Sequence, residues 1–222
     1  MDFKELKKFF IDIYQWCIDN IVVVSVVSGI IVLVGLGIGI YFIYEKNYED
    51  SLKTKFDKSY LQYLSGSKDS AKQSESFKNF FDTLQEIASV NKNYDIVAIA
   101  NIMLGDIYYN EGNSYNLSLN YYSKATNAPS VFLRVTAIFD VAQAYESLDN
   151  SDAALSNYEY IYKNYPDSYL APVSMLGASK IYSYKGDQKS ARAVLNELSN
   201  KYPNSSANYF VDLFGLVLTN HE

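Results

Sequence analysis

Apolar residues recur at helical intervals along the C-terminal two thirds of this chain, and the recurrence itself repeats. Ala137, Val141, Ala142 and Tyr145 share one face of a helix, as do Ala154, Tyr158 and Ile161. Between the two sets lies Asp149-Asn150-Ser151-Asp152, residue types that favour turns and helix N-caps. Tyr165-Pro166-Asp167-Ser168 ends the second helix, since proline cannot continue one. Tyr182, Ala191, Leu195, Leu198 and Pro203 lie 37 residues beyond Tyr145, Ala154, Tyr158, Ile161 and Pro166, with Gly186 in the intervening turn. A degenerate copy comes earlier: Tyr108, Gly112, Ser118, Tyr122 and Ala125. Tyr108 is again 37 residues before Tyr145, but Ser118 and Ala125 are 36 before Ala154 and Ile161, so the first turn holds one residue more. The small residue at Ala154 or Ala191 lets two helices approach, and the larger residue that follows fills the adjoining gap. A period of roughly 20–50 residues marks a solenoid, whose units bury their apolar faces only against neighbours. Such a fold displays surface.

The pattern predicts helix pairs at 94–110 with 115–126, 131–148 with 152–164 and 169–185 with 188–201. Before them it predicts a helix over 45–64, a polar loop over 65–76 and a helix over 77–90, together a degenerate leading pair. The apolar run 208–218 reads as a helix that caps the open end of the solenoid or, if left exposed, serves as a docking surface.

A second pattern lies upstream. Ile21–Tyr44 is 24 residues without a charged side chain, bracketed by Asp19 and Glu45. As a helix this stretch covers about 36 Å, enough for a hydrocarbon core of about 30 Å with some tilt. The segment before it carries no small-residue cleavage signal, so it reads as an uncleaved signal anchor. Lys4, Lys7 and Lys8 on one side and Lys46, Lys53, Lys55 and Lys58 on the other leave the positive-inside rule undecided. A cytoplasmic N-terminus is expected because long C-terminal domains translocate largely regardless of charge. Ser25 and Gly29, and Gly35 and Gly39, share the four-residue spacing that permits close helix packing within a bilayer. Residues 2–20 form an amphipathic segment with Phe3, Leu6, Phe10, Ile13, Tyr14 and Cys17 on one face. It would either lie on the membrane surface or extend the anchor.

Charge and rare residues narrow the function. The 178 residues after the anchor carry 16 basic and 21 acidic side chains with no basic stripe, which argues against nucleic acid. The one cysteine is Cys17 and the one histidine is His221, so neither a His/Cys metal cluster nor a Ser–His–Asp set is expected. Gly35-x-Gly37-x-Gly39 lies inside the apolar span and follows no strand, so it is not a dinucleotide loop. Neither an enzyme nor a cofactor is expected.

The repeats resemble tetratricopeptide (TPR) repeats. Leu104-Gly105-x-x-Tyr108 matches that family's L-G-x-x-Y element, and the run Ala153–Ser168 its second helix and terminating proline. The expected fold is therefore all-α: one N-terminal transmembrane helix, then a TPR-like α-solenoid with a C-terminal capping helix. The boundaries are 1–20 for the N-terminal segment, 21–44 for the anchor, 45–92 for the leading pair, 93–204 for three repeats and 205–222 for the cap and tail. The resemblance implies a concave protein-binding face made by the first helix of each pair. Carried over, its positions are Asp106, Tyr109 and Asn110, then Gln143 and Glu146, then Lys180, Ser183 and Tyr184. Tyr109 and Tyr184 are the expected anchors, because tyrosine offers large contact area at low entropy cost.

The whole layout resembles the bacterial YfgM-type proteins. That resemblance implies a periplasmic or equivalent extracytoplasmic domain, membership of the Sec translocon as an ancillary subunit, and work beside a membrane-anchored chaperone. Two other readings stay open: a scaffold for another envelope assembly (pilus, Tol–Pal or division machinery), and a homo-oligomer joined through the glycine-bearing span or the 208–218 helix.

Overall fold

A computed structural model describes residues 2–65, 70–110 and 114–211. Gly112, His221 and the capping run beyond Val211 lie outside the described residues, as do residues 66–69 of the expected polar loop. The chain divides into two compact units, Met1–Ser51 and Leu52–Glu222.

The first unit contains α1 (Phe3–Asp19) and the apolar part of α2 (Ile21–Leu64). Asn20 separates them with φ −117° and ψ 33°, outside the helical region. Its backbone N–H and its side-chain Nδ2 both donate to the Trp16 carbonyl, so α1 ends with its last turn capped. Within the apolar stretch, the Ser25 and Ser28 hydroxyls donate to the carbonyls of Ile21 and Val24, which satisfies both serine donors on their own helix. By length and composition α2 is a helix able to cross a membrane, and no part of its most apolar window is buried. Gly29, Gly35 and Gly39 have nothing within 4 Å of where a Cβ would stand.

The second unit is built from the remainder of α2 and from α3 (Ser70–Ala88), α4 (Asp95–Asn110), α5 (Tyr115–Ala125), α6 (Val131–Ser147), α7 (Ser151–Asn164), α8 (Leu170–Tyr184) and α9 (Gln188–Lys201). The helices of the three repeats fall within two residues of their expected limits. α3 differs: it starts at Ser70, inside the stretch read as a loop. Residues 70–76 are polar but contain neither Gly nor Pro, and Ala, Lys, Gln and Glu are good helix formers, so the segment joins the helix its apolar neighbours begin.

The leading pair packs around Phe80, which stacks on Tyr63 at 5.4 Å and meets Phe56 and Tyr60 at 5.9 and 5.5 Å. Leu52, Leu84, Ile87, Ile96 and Leu104 complete that core. From α6 onward a second core gathers Ala142, Ala154, Tyr158, Ala171, Met175, Ala178, Ile181 and Leu198, with Ala207 of a short 3₁₀ turn (Ser206–Asn208) closing over it.

The turns explain the period. After α6, Asp149 takes φ +57°, Asn150 N–H donates to the Tyr145 carbonyl at 2.9 Å, and the Asn150 side chain caps Ala153 N–H. After α8, 37 residues on, Gly186 takes φ +81°, Asp187 N–H donates to Tyr182 at 2.9 Å, and the Asp187 side chain caps Ser190 N–H. Each is a left-handed residue followed by an N-cap. After α4, the N–H of Ser114 reaches back to the Tyr108 carbonyl at 3.0 Å, six residues instead of five. That is the extra residue read from the spacing.

Two glycines set helix separation. A Cβ on Gly105 would lie 2.3 Å from the Tyr122 ring, and one on Gly177 would lie 2.7 Å from the Tyr158 ring. Both rings are buried. Gly177→Ala is expected to destabilise the solenoid by about 1–3 kcal/mol, because a packed ring has to shift. Gly186→Ala meets no neighbouring atom but forces a left-handed alanine, at about 1 kcal/mol. Thermal midpoints of the two variants test this: equal stability of Gly177→Ala and wild type would mean that the ring contact does not control helix spacing.

Candidate functional site

The first helices of the three pairs, α4, α6 and α8, line one cleft of about 440 Å³. Five of the eight sequence-derived positions meet there: Tyr109, Gln143, Glu146, Lys180 and Tyr184. The 37-residue register accounts for their convergence. Asp106, Gln143 and Lys180 are equivalent positions, as are Tyr109, Glu146 and Ser183, and Asn110, Ser147 and Tyr184. Ser147 was therefore available from the register. It lines the cleft, and its hydroxyl lies 2.7 Å from Tyr109 Oη. Asp149, Ser151 and Ile181 complete the wall. Asp149 belongs to the turn after α6 and Ser151 is the first residue of α7, neither of which the family's first-helix positions include.

The other three positions are elsewhere. Asp106 Oδ1 accepts the Tyr122 hydroxyl at 2.8 Å, and Asn110 Nδ2 donates to the Asp106 carbonyl on its own helix at 3.0 Å. Ser183 sits beside Gln188, whose amide donates to its carbonyl at 3.4 Å. None of the three lines the cleft.

Glu146 is the hub. One carboxylate oxygen accepts the Tyr158 hydroxyl and the other accepts Lys180 Nζ at 3.1 Å. Lys180 Nζ also lies 5.8 Å from the centroid of the Tyr184 ring, in cation–π range. The ion pair is partly exposed at both ends, so it orients the two side chains more than it stabilises the fold. Tyr184 is 78 % exposed and Tyr109 is half-buried against Tyr115, edge to face at 5.2 Å. The cleft thus presents one exposed aromatic and one braced aromatic together with a paired Glu and Lys.

Asp140 of α6 was not singled out from the sequence, although it is the one acid in the run Val135–Ala144. Burial, and then the negative charge of Asp106, push its carboxyl up to about 7. Burial also raises the phenols of Tyr122 and Tyr158, and their carboxylate partners raise them further, so both remain donors at neutral pH. Among the described residues no group of three or more His, Cys, Asp or Glu could hold a metal ion.

Comparison with known families supports the repeat assignment. The tetratricopeptide repeat model matches residues 136–168 and 174–205, which are the α6–α7 and α8–α9 units. No curated protein matches the chain. Two units therefore carry tetratricopeptide repeats by sequence, and α4–α5 stacks onto them with the same Tyr and small-residue positions. The scaffold is of a kind that recognises proteins.

Asp140 makes stability depend on pH. The folded carboxyl holds its proton up to about 7 while the unfolded one releases it near 3.8, so the contribution of Asp140 to stability is greatest below the lower value and declines as pH rises between them. Asp140→Asn is expected to flatten that decline and to melt above wild type at pH ~8. Parallel pH profiles of the two proteins would show that Asp140 stays charged without strain.

Proposed function

We propose that this protein is a membrane-anchored TPR scaffold that holds a protein partner in the cleft between α4, α6 and α8. The observation carrying this reading is the convergence of Tyr109, Gln143, Glu146, Lys180 and Tyr184, from three successive repeat units, on one cavity. Side chains brought together from separate units are suited to contact, with the tyrosines as anchors. Ile21–Tyr44 is the anchor, with the N-terminal segment on the cytoplasmic side and the repeats on the extracytoplasmic side of a bacterial inner membrane. The layout resembles the YfgM-type proteins, and on that resemblance the partners are the Sec translocon and an envelope chaperone.

Crosslinking in native membranes, followed by affinity purification and mass spectrometry of the full-length protein, tests both levels. Translocon subunits and a chaperone are expected among the leading partners. The double variant Tyr109→Ala/Tyr184→Ala is expected to lose about tenfold or more of the captured partner, the range for removing interface anchors. Capture of a different envelope complex would remove the translocon reading and keep the scaffold. Undiminished capture by the double variant would remove the cleft.

A further inference from the structure

We infer that α1 is an interfacial membrane helix: it lies along the bilayer surface at the point where α2 enters, with its apolar face in the lipid. This rests on the reading of Ile21–Tyr44 as the membrane span. At about 100° per residue, Lys4, Glu5, Lys8, Asp12, Gln15 and Asp19 fall within an arc of roughly 100°. The rest of the circumference is almost wholly apolar. Phe3, Phe10, Ile13, Tyr14 and Trp16 are all exposed, and no residue of α1 is buried. Water is a poor environment for such a face. The hydrocarbon core is a poor environment for Asp12 and Asp19. The boundary between them satisfies both.

Two features of the chain favour lipid over any other occupant. A single residue, Asn20, joins α1 to the uncharged stretch, so α1 ends within a few ångströms of the hydrocarbon edge. The break at Asn20, with both of its donors on the Trp16 carbonyl, ends α1 as a separate helix rather than extending the span. The one basic side chain within the apolar arc is Lys7, whose long stem lets its ammonium reach the headgroups. Lys4, Lys7 and Lys8 are matched by Glu5, Asp12 and Asp19, so α1 carries no net side-chain charge. Apolar burial, not attraction to anionic lipid, is what holds it.

Trp16 is the only tryptophan of the chain and lies on α1, so the full-length protein carries its own probe. The protein is reconstituted into phosphatidylcholine vesicles whose chains are brominated either near the ester linkage or near the methyl terminus. Trp16 emission is expected to be blue-shifted, and shallow bromines are expected to quench it about twofold more than deep ones, as for a helix about 5–10 Å into the boundary. Replacing a third of the lipid with phosphatidylglycerol should leave the quenching unchanged. Phe10→Asp/Ile13→Asp should abolish it while the protein still floats with the vesicles. Red-shifted, acrylamide-accessible emission in a floating protein would overturn the inference, as would quenching that persists in the double variant or that requires anionic lipid. Blue-shifted emission without lipid quenching would assign the apolar face to a second copy of the chain. Failure of the wild type to float would overturn the anchor reading, and this inference with it.

Discussion

The packing of Tyr122 and Tyr158 against bare glycine backbone organises the stack of helices, within a unit for Tyr122 on Gly105 and between successive units for Tyr158 on Gly177. Each ring lies where a single methyl group on Gly105 or Gly177 would collide with it, so the facing helices approach as closely as a ring edge allows. The same residues act at a second level. Their hydroxyls leave the core and end on carboxylates of the first helices, Tyr122 on Asp106 and Tyr158 on Glu146. One side chain therefore sets the helix spacing and fixes the orientation of an acid near or in the cleft. A buried aromatic with a satisfied polar tip is well suited to this double duty. In the last repeat the equivalent residue is Leu195, which fills the gap but offers no hydroxyl. There the corresponding first-helix cation, Lys180, is held instead by Glu146 of the preceding unit. The polar wall of the cleft thus depends on contacts made inside the core.

Much of this was legible in the sequence, for identifiable reasons. Helix pairs came from the recurrence of small and aromatic residues, and the longer first turn came from a one-residue change in spacing. Ser114 N–H bonding to Tyr108 is the physical form of that change. What spacing does not reveal is rotation about the helix axis to better than one position. Asp106 and Asn110 share a face with Tyr109, yet their side chains are satisfied by Tyr122 and by the Asp106 carbonyl, so they do not line the cleft. Ser147 was overlooked although the register with Asn110 and Tyr184 points to it. Asp140 was overlooked because a single acid in an apolar helix is easily taken as solvated, and its cost comes from burial first and the charge of Asp106 second, neither of which spacing reveals. The start of α3 was missed because polarity was read as loop where only helix breakers would have justified it.

The turns show how much chemistry the period tolerates. Asp149 and Gly186 both sit in the left-handed region, one with a side chain and one without. Aspartate is among the few residues that accept that conformation. The capping partner is Asn150 in one turn and Asp187 in the other, each accepting from an N–H three residues on. What persists between units is a backbone requirement met by several side chains, so sequence identity between repeats stays low while the spacing holds.

In the second unit the helices pack mainly on their neighbours in sequence, and beyond that α4 meets α6 and α6 meets α8. A chain whose contacts are this local closes no long loops, so it is expected to fold quickly and to fray from its ends. The cleft, however, draws on α4, α6 and α8 together and is complete only while all three units are folded at once. A bound partner would favour that state over every partly frayed one. Occupancy would thus make a row of nearest-neighbour units unfold as one cooperative body.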